Sequence, residues 1–319
     1  MIKVGIIGCD NVRAAELVRV LINHPDVELK WVTGTAPVDA RLDSIVPGIV
    51  GECDLKIGRQ GALDEVDLVY LCGNRDEAAT WLSAVELPDN LAVIDMSGTH
   101  NLEHGDTAMS WKYGLSEMQR RLLVHDTRLV TVPGDAAMVS LLALMPMARN
   151  LLLNSPIELH VALGVSALSQ DGQTFGGMNA DAWAQDQQQE VVCALRQCQS
   201  SFDQPVTLTV TPLAERRTLA VAARFKSGVD DEMVHQLYEQ YYEDHNFVFI
   251  VDRPIVTADV ENTNKCLINI DKDDRTGYLT IHAVMDVLLK GSVGTAVHAM
   301  NLMYGLHERV GLTLKATGC

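Results

Sequence analysis

Long apolar runs are missing from this 319-residue chain: none reaches the roughly 18 residues that a membrane helix needs, which excludes a helical spanning protein. Basic residues are few. Lysine and arginine total 25 against 42 aspartates and glutamates, a formal charge of −17. A field of that sign opposes polyphosphate backbones, which argues against nucleic acid as a partner but leaves room for a small anion in a local basic pocket. No cysteine pair has CxxC spacing, and the seven cysteines (Cys9, Cys53, Cys72, Cys193, Cys198, Cys266 and Cys319) are odd in number and scattered. Neither a disulfide framework nor a structural zinc site fits that pattern. Internal repeats, low-complexity tracts and Gly/Ser linkers are absent, the cluster Gln185–Gln189 being too short to count. Met1–Gly8 lacks the charged start, apolar middle and cleavage site of a secretion signal, so a cytoplasmic location is expected.

What the chain does have is apolar material, 47% of its residues, enough to give each of two domains a core. Val4–Ile7 reads as a strand running into a turn at Gly8. A helix follows with Ala14, Leu17, Val18 and Leu21 on one face, and His24-Pro25 stops it. Further apolar runs at Val27–Thr33, Val66–Cys72, Leu91–Met96 and Arg128–Val132, separated by helix or loop, predict a parallel sheet. After Pro133 a largely apolar helix, Ala136–Ala148, is interrupted by Pro146. Six strands are then expected, near Ile157–Val165, Val206–Pro212, Thr218–Phe225, Phe247–Val251, Cys266–Ile270 and Tyr278–Val284. Helices Ala180–Gln199 and Asp230–Tyr242 fall between them. The expected fold is α/β. Residues 1–134 form a Rossmann-type doubly wound parallel sheet, and residues 135–290 an α+β domain with a mixed or antiparallel sheet and helices on one face. A C-terminal helix within 291–319 packs back on the first domain.

The strand–Gly8–helix turn is where a dinucleotide pyrophosphate would sit, on backbone N–H groups at a helix N-terminus. Of the usual three glycines only Gly8 remains in Gly8-Cys9-Asp10-Asn11-Val12-Arg13-Ala14. Asn11 tolerates a left-handed conformation and Ala14 can replace a packing glycine, whereas Asp10 brings a carboxylate close to the phosphates. The second strand ends Val32-Thr33-Gly34-Thr35, with neither an acid for a ribose hydroxyl nor an adjacent arginine for a 2′-phosphate; Arg41 is the nearest basic candidate. His100, His104, Glu103 and Asp106 suggest a metal only faintly, since no third ligand has suitable spacing, and no metal is expected.

Several segments together resemble the N-acetyl-γ-glutamyl-phosphate reductases, an arginine-pathway family related to aspartate-semialdehyde dehydrogenases. They are Ile2–Pro25, Trp111-Lys112-Tyr113-Gly114-Leu115-Ser116-Glu117, Leu129–Pro146, Asn262-Thr263-Asn264-Lys265-Cys266-Leu267-Ile268 and Asp286–Leu312. The resemblance runs essentially end to end. It implies NADP(H) as cofactor, held by Gly8, Asn11, Ala14, Lys290, Gly291 and Gly294, and a small acyl-amino-acid substrate held by Tyr113, Glu117 and Arg217. It further implies a dimer or tetramer, and a reaction in which a cysteine thiolate displaces phosphate before hydride reduces the thioester.

The departures fall where that chemistry belongs. The family's Pro-Gly-Cys is Pro133-Gly134-Asp135 here, and its His-x-His-x-x-Glu aligns with Gln185-Asp186-Gln187-Gln188-Gln189-Glu190, leaving Glu190 as the survivor. The base position is taken as Gln185. A glycine-rich loop becomes Gly164-Val165-Ser166-Ala167-Leu168-Ser169-Gln170, an asparagine expected near the nicotinamide is Val287, and an Arg-Gly loop is shortened to Glu215-Arg216-Arg217-Thr218. A carboxylate is a poor nucleophile, and its attack on an acyl phosphate gives an anhydride. Asp135 is instead expected to cap its helix. A member inactive or impaired in the family reaction follows, serving as a binding protein or pairing with an active homologue. The alternative is a reductase that acts directly on a carbonyl with no covalent step.

Overall fold

The computed structural model describes residues 1–102, 110–124, 127–164 and 179–317. The chain divides into two compact units, Met1–Pro133 with Ser292–Thr313, and Gly134–Gly291 with Leu314–Cys319.

In the first unit six strands, β1 (Ile2–Ile7), β2 (Val27–Val32), β3 (Leu68–Leu71), β4 (Ala92–Asp95), β5 (Lys112–Tyr113) and β6 (Leu129–Thr131), lie in the order β2-β1-β3-β4-β6-β5. Every pairing is parallel. β3 and β4 are buried at each position, as strands covered on both faces must be. Helices α1 (Val12–Leu21), α2 (Arg75–Ala84) and α3 (Ser116–Val124) connect them. The strand order reverses between β1 and β3, and a doubly wound sheet opens its ligand crevice at such a point. There Gly8, at φ +82°, passes so close to the strand beside it that a Cβ would lie 2.7 Å from the Gly73 nitrogen. β5 was not anticipated, because two residues are too few to show a period.

The second unit holds a mixed sheet of β7 (Ile157–Gly164), β8 (Val206–Leu213), β9 (Thr218–Lys226), β10 (Val248–Ile250), β11 (Cys266–Asp273) and β12 (Tyr278–Asp286), in the order β10-β11-β12-β9-β7-β8. The β11–β12, β12–β9 and β9–β7 pairs are antiparallel, while the outer pairs are parallel. Alternate residues of β9 (Leu219, Val221, Ala223, Phe225) and β12 (Leu279, Ile281, Ala283, Met285) are buried. They meet α4 (Asp135–Arg149), which α5 (Ala180–Cys198) and α6 (Asp231–Tyr242) flank. The other face presents the cross-strand row His160, Ala222 and His282, only partly covered.

α4 is buried from Asp135 to Ala148 and runs unbroken through Pro146. Proline has no N–H, so the Leu142 carbonyl one turn earlier loses its helical donor. The Tyr242 hydroxyl of α6 donates to that carbonyl, and the Tyr238 hydroxyl to the neighbouring Ala143 carbonyl. The interruption expected at Pro146 is thus avoided by a tertiary hydrogen bond.

The last helix, α7 (Gly294–Met303), follows a π-helical turn at Leu289–Val293 and packs with α3 in the first unit. His24, just past α1, reaches it: Nε2–H donates to Asn301 Oδ1 at 3.0 Å, and Nδ1 accepts from the Asp26 N–H at 3.2 Å. The tautomer and amide orientation follow from the neighbours, because Asn301 Nδ2 donates to the carbonyls of Glu308 and Val310. Only a neutral imidazole satisfies this arrangement, and burial pushes the His24 pKa below its ordinary 6.5 even though the Asn301 contact opposes that shift.

Two outcomes are expected. Tyr242→Phe leaves a buried carbonyl unpaired and should lower unfolding free energy by about 1–3 kcal/mol in urea titrations; an unchanged midpoint would deny the tyrosine that role. The His24 contribution is complete above pH 6.5 and lost as pH falls toward the lower folded pKa, because the unfolded chain takes up the proton first. Stability should therefore drop more steeply between pH 7 and about 5 in the native protein than in His24→Gln.

Candidate functional site

The first group of expected site residues gathers at the β1–α1 turn. Gly8 has the positive φ and close approach that a tight phosphate-binding turn requires. Asn11 is not left-handed: at φ −131° it is the N-cap of α1, its Oδ1 accepting from the Ala14 N–H at 3.0 Å and its Nδ2 donating to the Cys72 carbonyl at 2.7 Å. The side chain replaces a glycine by satisfying the backbone rather than by sharing its freedom. Ala14 is fully buried, as a packing position should be. Asp10 is exposed, and its carboxylate accepts from the N–H and hydroxyl of Thr35.

The second group lies at the N-terminus of α4. Asp135 is the first helical residue, so the expected aspartate cap is corrected: the N-cap position falls one residue earlier, on Gly134, which has no side chain to cap with. α5 supplies the acceptors. The Gly134 N–H donates to Glu190 Oε1 at 3.0 Å and the Ala137 N–H to Gln187 Oε1 at 3.1 Å. A Cβ on Gly134 would lie 2.3 Å from Gln187 Nε2, which shows how tightly the amide sits over the turn. Gln187 and Glu190 are spaced i, i+3 and share the buried face of α5 with Trp183, Val191 and Ala194. Gln185, two residues earlier, is exposed on another side. The residue that meets the α4 terminus is therefore Gln187, and the apolar stripe Trp183/Val191/Ala194 was the signal for which face of α5 is buried.

The remaining expected residues are engaged inside the units. Arg217 Nε lies 2.6 Å from Asp286 Oδ2, and the same carboxylate accepts from the N–H groups of Asn262, Leu288 and Leu289. Lys290 is fully buried, 5.8 Å from the Phe247 ring centre, and Gly291 and Gly294 are buried around it in the chain. Val287 is buried, its N–H on the Arg217 carbonyl. Tyr113 is fully buried and Glu117 nearly so. Glu117 accepts from Ser116, whose hydroxyl also meets His298, and His298 in turn meets Glu308, the ion-pair partner of Arg120. These contacts join α3 to α7.

His100 Nδ1 lies 2.8 Å from Asp95 Oδ2, and the ring stacks on Trp111 with centroids 3.9 Å apart. Glu103, His104 and Asp106 lie outside the described residues, as do residues 165–170 of the altered glycine loop. Among the described residues no three acidic, histidine or cysteine side chains group as metal ligands. Burial pushes the Cys9 thiol up to about 12, with Asp10 adding to the effect, and raises Cys72 and Cys198 as well, so none of the three offers a ready thiolate. Asn264 is almost wholly buried with neither Oδ1 nor Nδ2 hydrogen-bonded. A buried amide without a partner is costly, and marks a place where a further polar group belongs.

Comparison with known proteins accounts for both units. A family model described as semialdehyde dehydrogenase, NAD binding domain, matches residues 3–125, and one described as semialdehyde dehydrogenase, dimerisation domain, matches residues 136–286. The N-acetyl-gamma-glutamyl-phosphate reductases of Phocaeicola vulgatus and Parabacteroides distasonis are each 33% identical to the chain, with 99% of both sequences covered. Among solved structures, aspartate semialdehyde dehydrogenase II from Vibrio cholerae, crystallised with ASA, superposes with a TM-score of 0.74 over 96% of this chain and 98% of that one, at 14% identity. A probable aspartate-semialdehyde dehydrogenase from Pseudomonas aeruginosa gives 0.71 over 95% and 98%, at 15% identity. The two-unit fold is that of the semialdehyde dehydrogenases.

The α4 terminus yields a differential expectation. Gln187→Ala strips a buried N–H of its acceptor and should destabilise by about 1–3 kcal/mol. Gln185→Ala, at an exposed position, should stay within about 0.5 kcal/mol of the native protein. Equal losses in thermal and urea unfolding would contradict the assignment of Gln187 to the helix terminus.

Proposed function

This chain belongs to the N-acetyl-γ-glutamyl-phosphate reductase family, and from that premise we propose that it keeps the family's nicotinamide-binding and dimerisation scaffold without its thiolate-dependent acyl-phosphate reduction. The observation that carries the reading is the α4 terminus. Asp135 stands where the resemblance places a cysteine, and the adjoining N–H groups of Gly134 and Ala137 are already hydrogen-bonded to Glu190 and Gln187. Those N–H groups are what a helix offers to an incoming anion or a developing oxyanion. A carboxylate in place of a thiolate at this residue repels a phosphate dianion, and its attack on an acyl carbon forms an anhydride, which is hydrolysed rather than carried forward as a thioester. Gln187 accepts and donates hydrogen bonds but has no titrating group with which to move a proton.

A nicotinamide cofactor is supported by the matched NAD binding domain and by the glycine turn at Gly8. Gly8, Asn11 and Ala14 are the residues that would hold it, and a hydride is what it supplies when bound. The family resemblance implies NADP(H), whose 2′-phosphate would need a cation beside the end of β2. The matched dimerisation domain supports self-association, with the half-covered sheet face of His160, Ala222 and His282 as the surface available to it. In this reading the protein is a cytoplasmic dimer or tetramer that binds a small acyl-amino-acid metabolite or pairs with an active relative. Among the described residues no helix is long and apolar enough to cross a membrane. A direct carbonyl reductase without a covalent step is the second reading, and it draws on the retained Gly8 turn.

The test is turnover of N-acetyl-γ-glutamyl phosphate with NADPH or NADH, beside the Phocaeicola vulgatus relative under the same conditions. Loss of a nucleophile and base together should leave the rate at least about 10⁴-fold lower. No acyl adduct should appear by intact-mass spectrometry. Turnover within about 100-fold of the relative would overturn the proposal.

A further inference from the structure

We infer that Asp10 sets the choice of dinucleotide in the first unit, and that this choice is NAD(H) over NADP(H); the inference rests on the nicotinamide-cofactor reading above. In doubly wound sheets the adenosine ribose lies beyond the end of the second strand, where an acidic residue accepts from its 2′-hydroxyl or an arginine meets a 2′-phosphate. Here β2 runs Val27–Val32 and continues Thr33-Gly34-Thr35, with no acid of its own.

Asp10 supplies one from the neighbouring turn. Both of its carboxylate oxygens lie 2.8 Å from the Thr35 nitrogen, and Oδ1 is 3.0 Å from the Thr35 hydroxyl. A Cβ on Gly34 would lie 2.8 Å from Oδ1, so glycine is what lets the carboxylate lie against this segment. The turn is itself tied to the end of β2, the Cys9 N–H donating to the Thr33 carbonyl at 2.8 Å and the Gly8 N–H reaching the Thr33 hydroxyl at 3.3 Å. A carboxylate is thereby held at the end of β2. The carboxylate remains exposed, with lone pairs for two ribose hydroxyls, and a phosphate dianion at the same place meets a like charge.

The cations in this part of the chain include Arg41, Arg59 and Arg13. Arg41, the nearest basic candidate in the sequence, is committed: Nε and Nη2 lie 3.1 and 2.7 Å from Asp43, and Nη1 lies 3.5 Å from Asp54. Its charge is met by two carboxylates before any ligand arrives. Arg59 is exposed two residues beyond Ile57, which bridges to Val32, and Arg13 stands in the first turn of α1. Those two arginines are the residues on which a preference for NADP(H) would have to rest.

The experiment is calorimetric titration of the full chain with NAD⁺, NADH, NADP⁺ and NADPH, repeated on Asp10→Asn. The asparagine keeps an oxygen for Thr35 and removes the charge, and thermal melting confirms that each protein is folded. The native protein should bind NADH at least about tenfold more tightly than NADPH, and Asp10→Asn should raise NADPH affinity about tenfold while weakening NADH. A native preference for NADPH, or a ratio unchanged in Asp10→Asn, would overturn the assignment of Asp10 while leaving a nicotinamide cofactor in place. Absence of binding by all four at millimolar concentration would instead overturn the cofactor reading, and this inference with it.

Discussion

A helix buried on every side has no water to accept its unpaired backbone groups, and α4 is such a helix. Each group left over by its own hydrogen-bond ladder must find a side chain from elsewhere in the second unit. Tyr242 meets the carbonyl freed by Pro146, and Gln187 and Glu190 meet N–H groups at the N-terminus. The order of the surrounding helices follows from this requirement as much as from apolar packing, because α5 and α6 must each present polar atoms at the right level along α4. The same requirement reaches into function. N–H groups that complete the fold by bonding to α5 are withdrawn from any ligand, so a change at residues 187 and 190 alters structure and chemistry together.

The β1–α1 turn shows a related substitution of side-chain atoms for backbone freedom. A dinucleotide-binding turn ordinarily uses glycines to bring bare N–H groups toward phosphate. Here Asn11 fills one such N–H itself, and Asp10 spends its carboxylate on Thr35. The turn stays tight, since Gly8 keeps its left-handed conformation against Gly73, but it has become more polar and more negative. The geometry of the cleft and its electrostatics have thus separated.

Residues expected to face a ligand also meet other side chains of their own unit. Arg217 and Asp286 form an ion pair that also gathers three backbone N–H groups, and Ser116, Glu117, His298 and Glu308 form a continuous polar chain between α3 and α7. Buried charges are tolerated only when paired in this way. Motif positions that persist can therefore do so for the stability of each unit. Asn264 is buried with both ends of its amide unmatched, and no pattern in the sequence distinguishes it from its neighbours.

The sequence by itself determined the alternation of strand and helix, the parallel first sheet, the mixed second one and the family, because hydrophobic period and turn residues are local along the chain. It also located the turn at Gly8, which is a matter of residue type. It could not decide that Asn11 caps rather than bends, that Gln187 rather than Gln185 faces α4, or that Arg217 is held by a residue 69 positions away. Nor could it carry Asp10 to the end of β2. Those outcomes belong to the tertiary structure, for a physical reason: which side chain meets an unpaired backbone group or charge depends on how elements distant in sequence are set side by side, and burial makes that pairing obligatory.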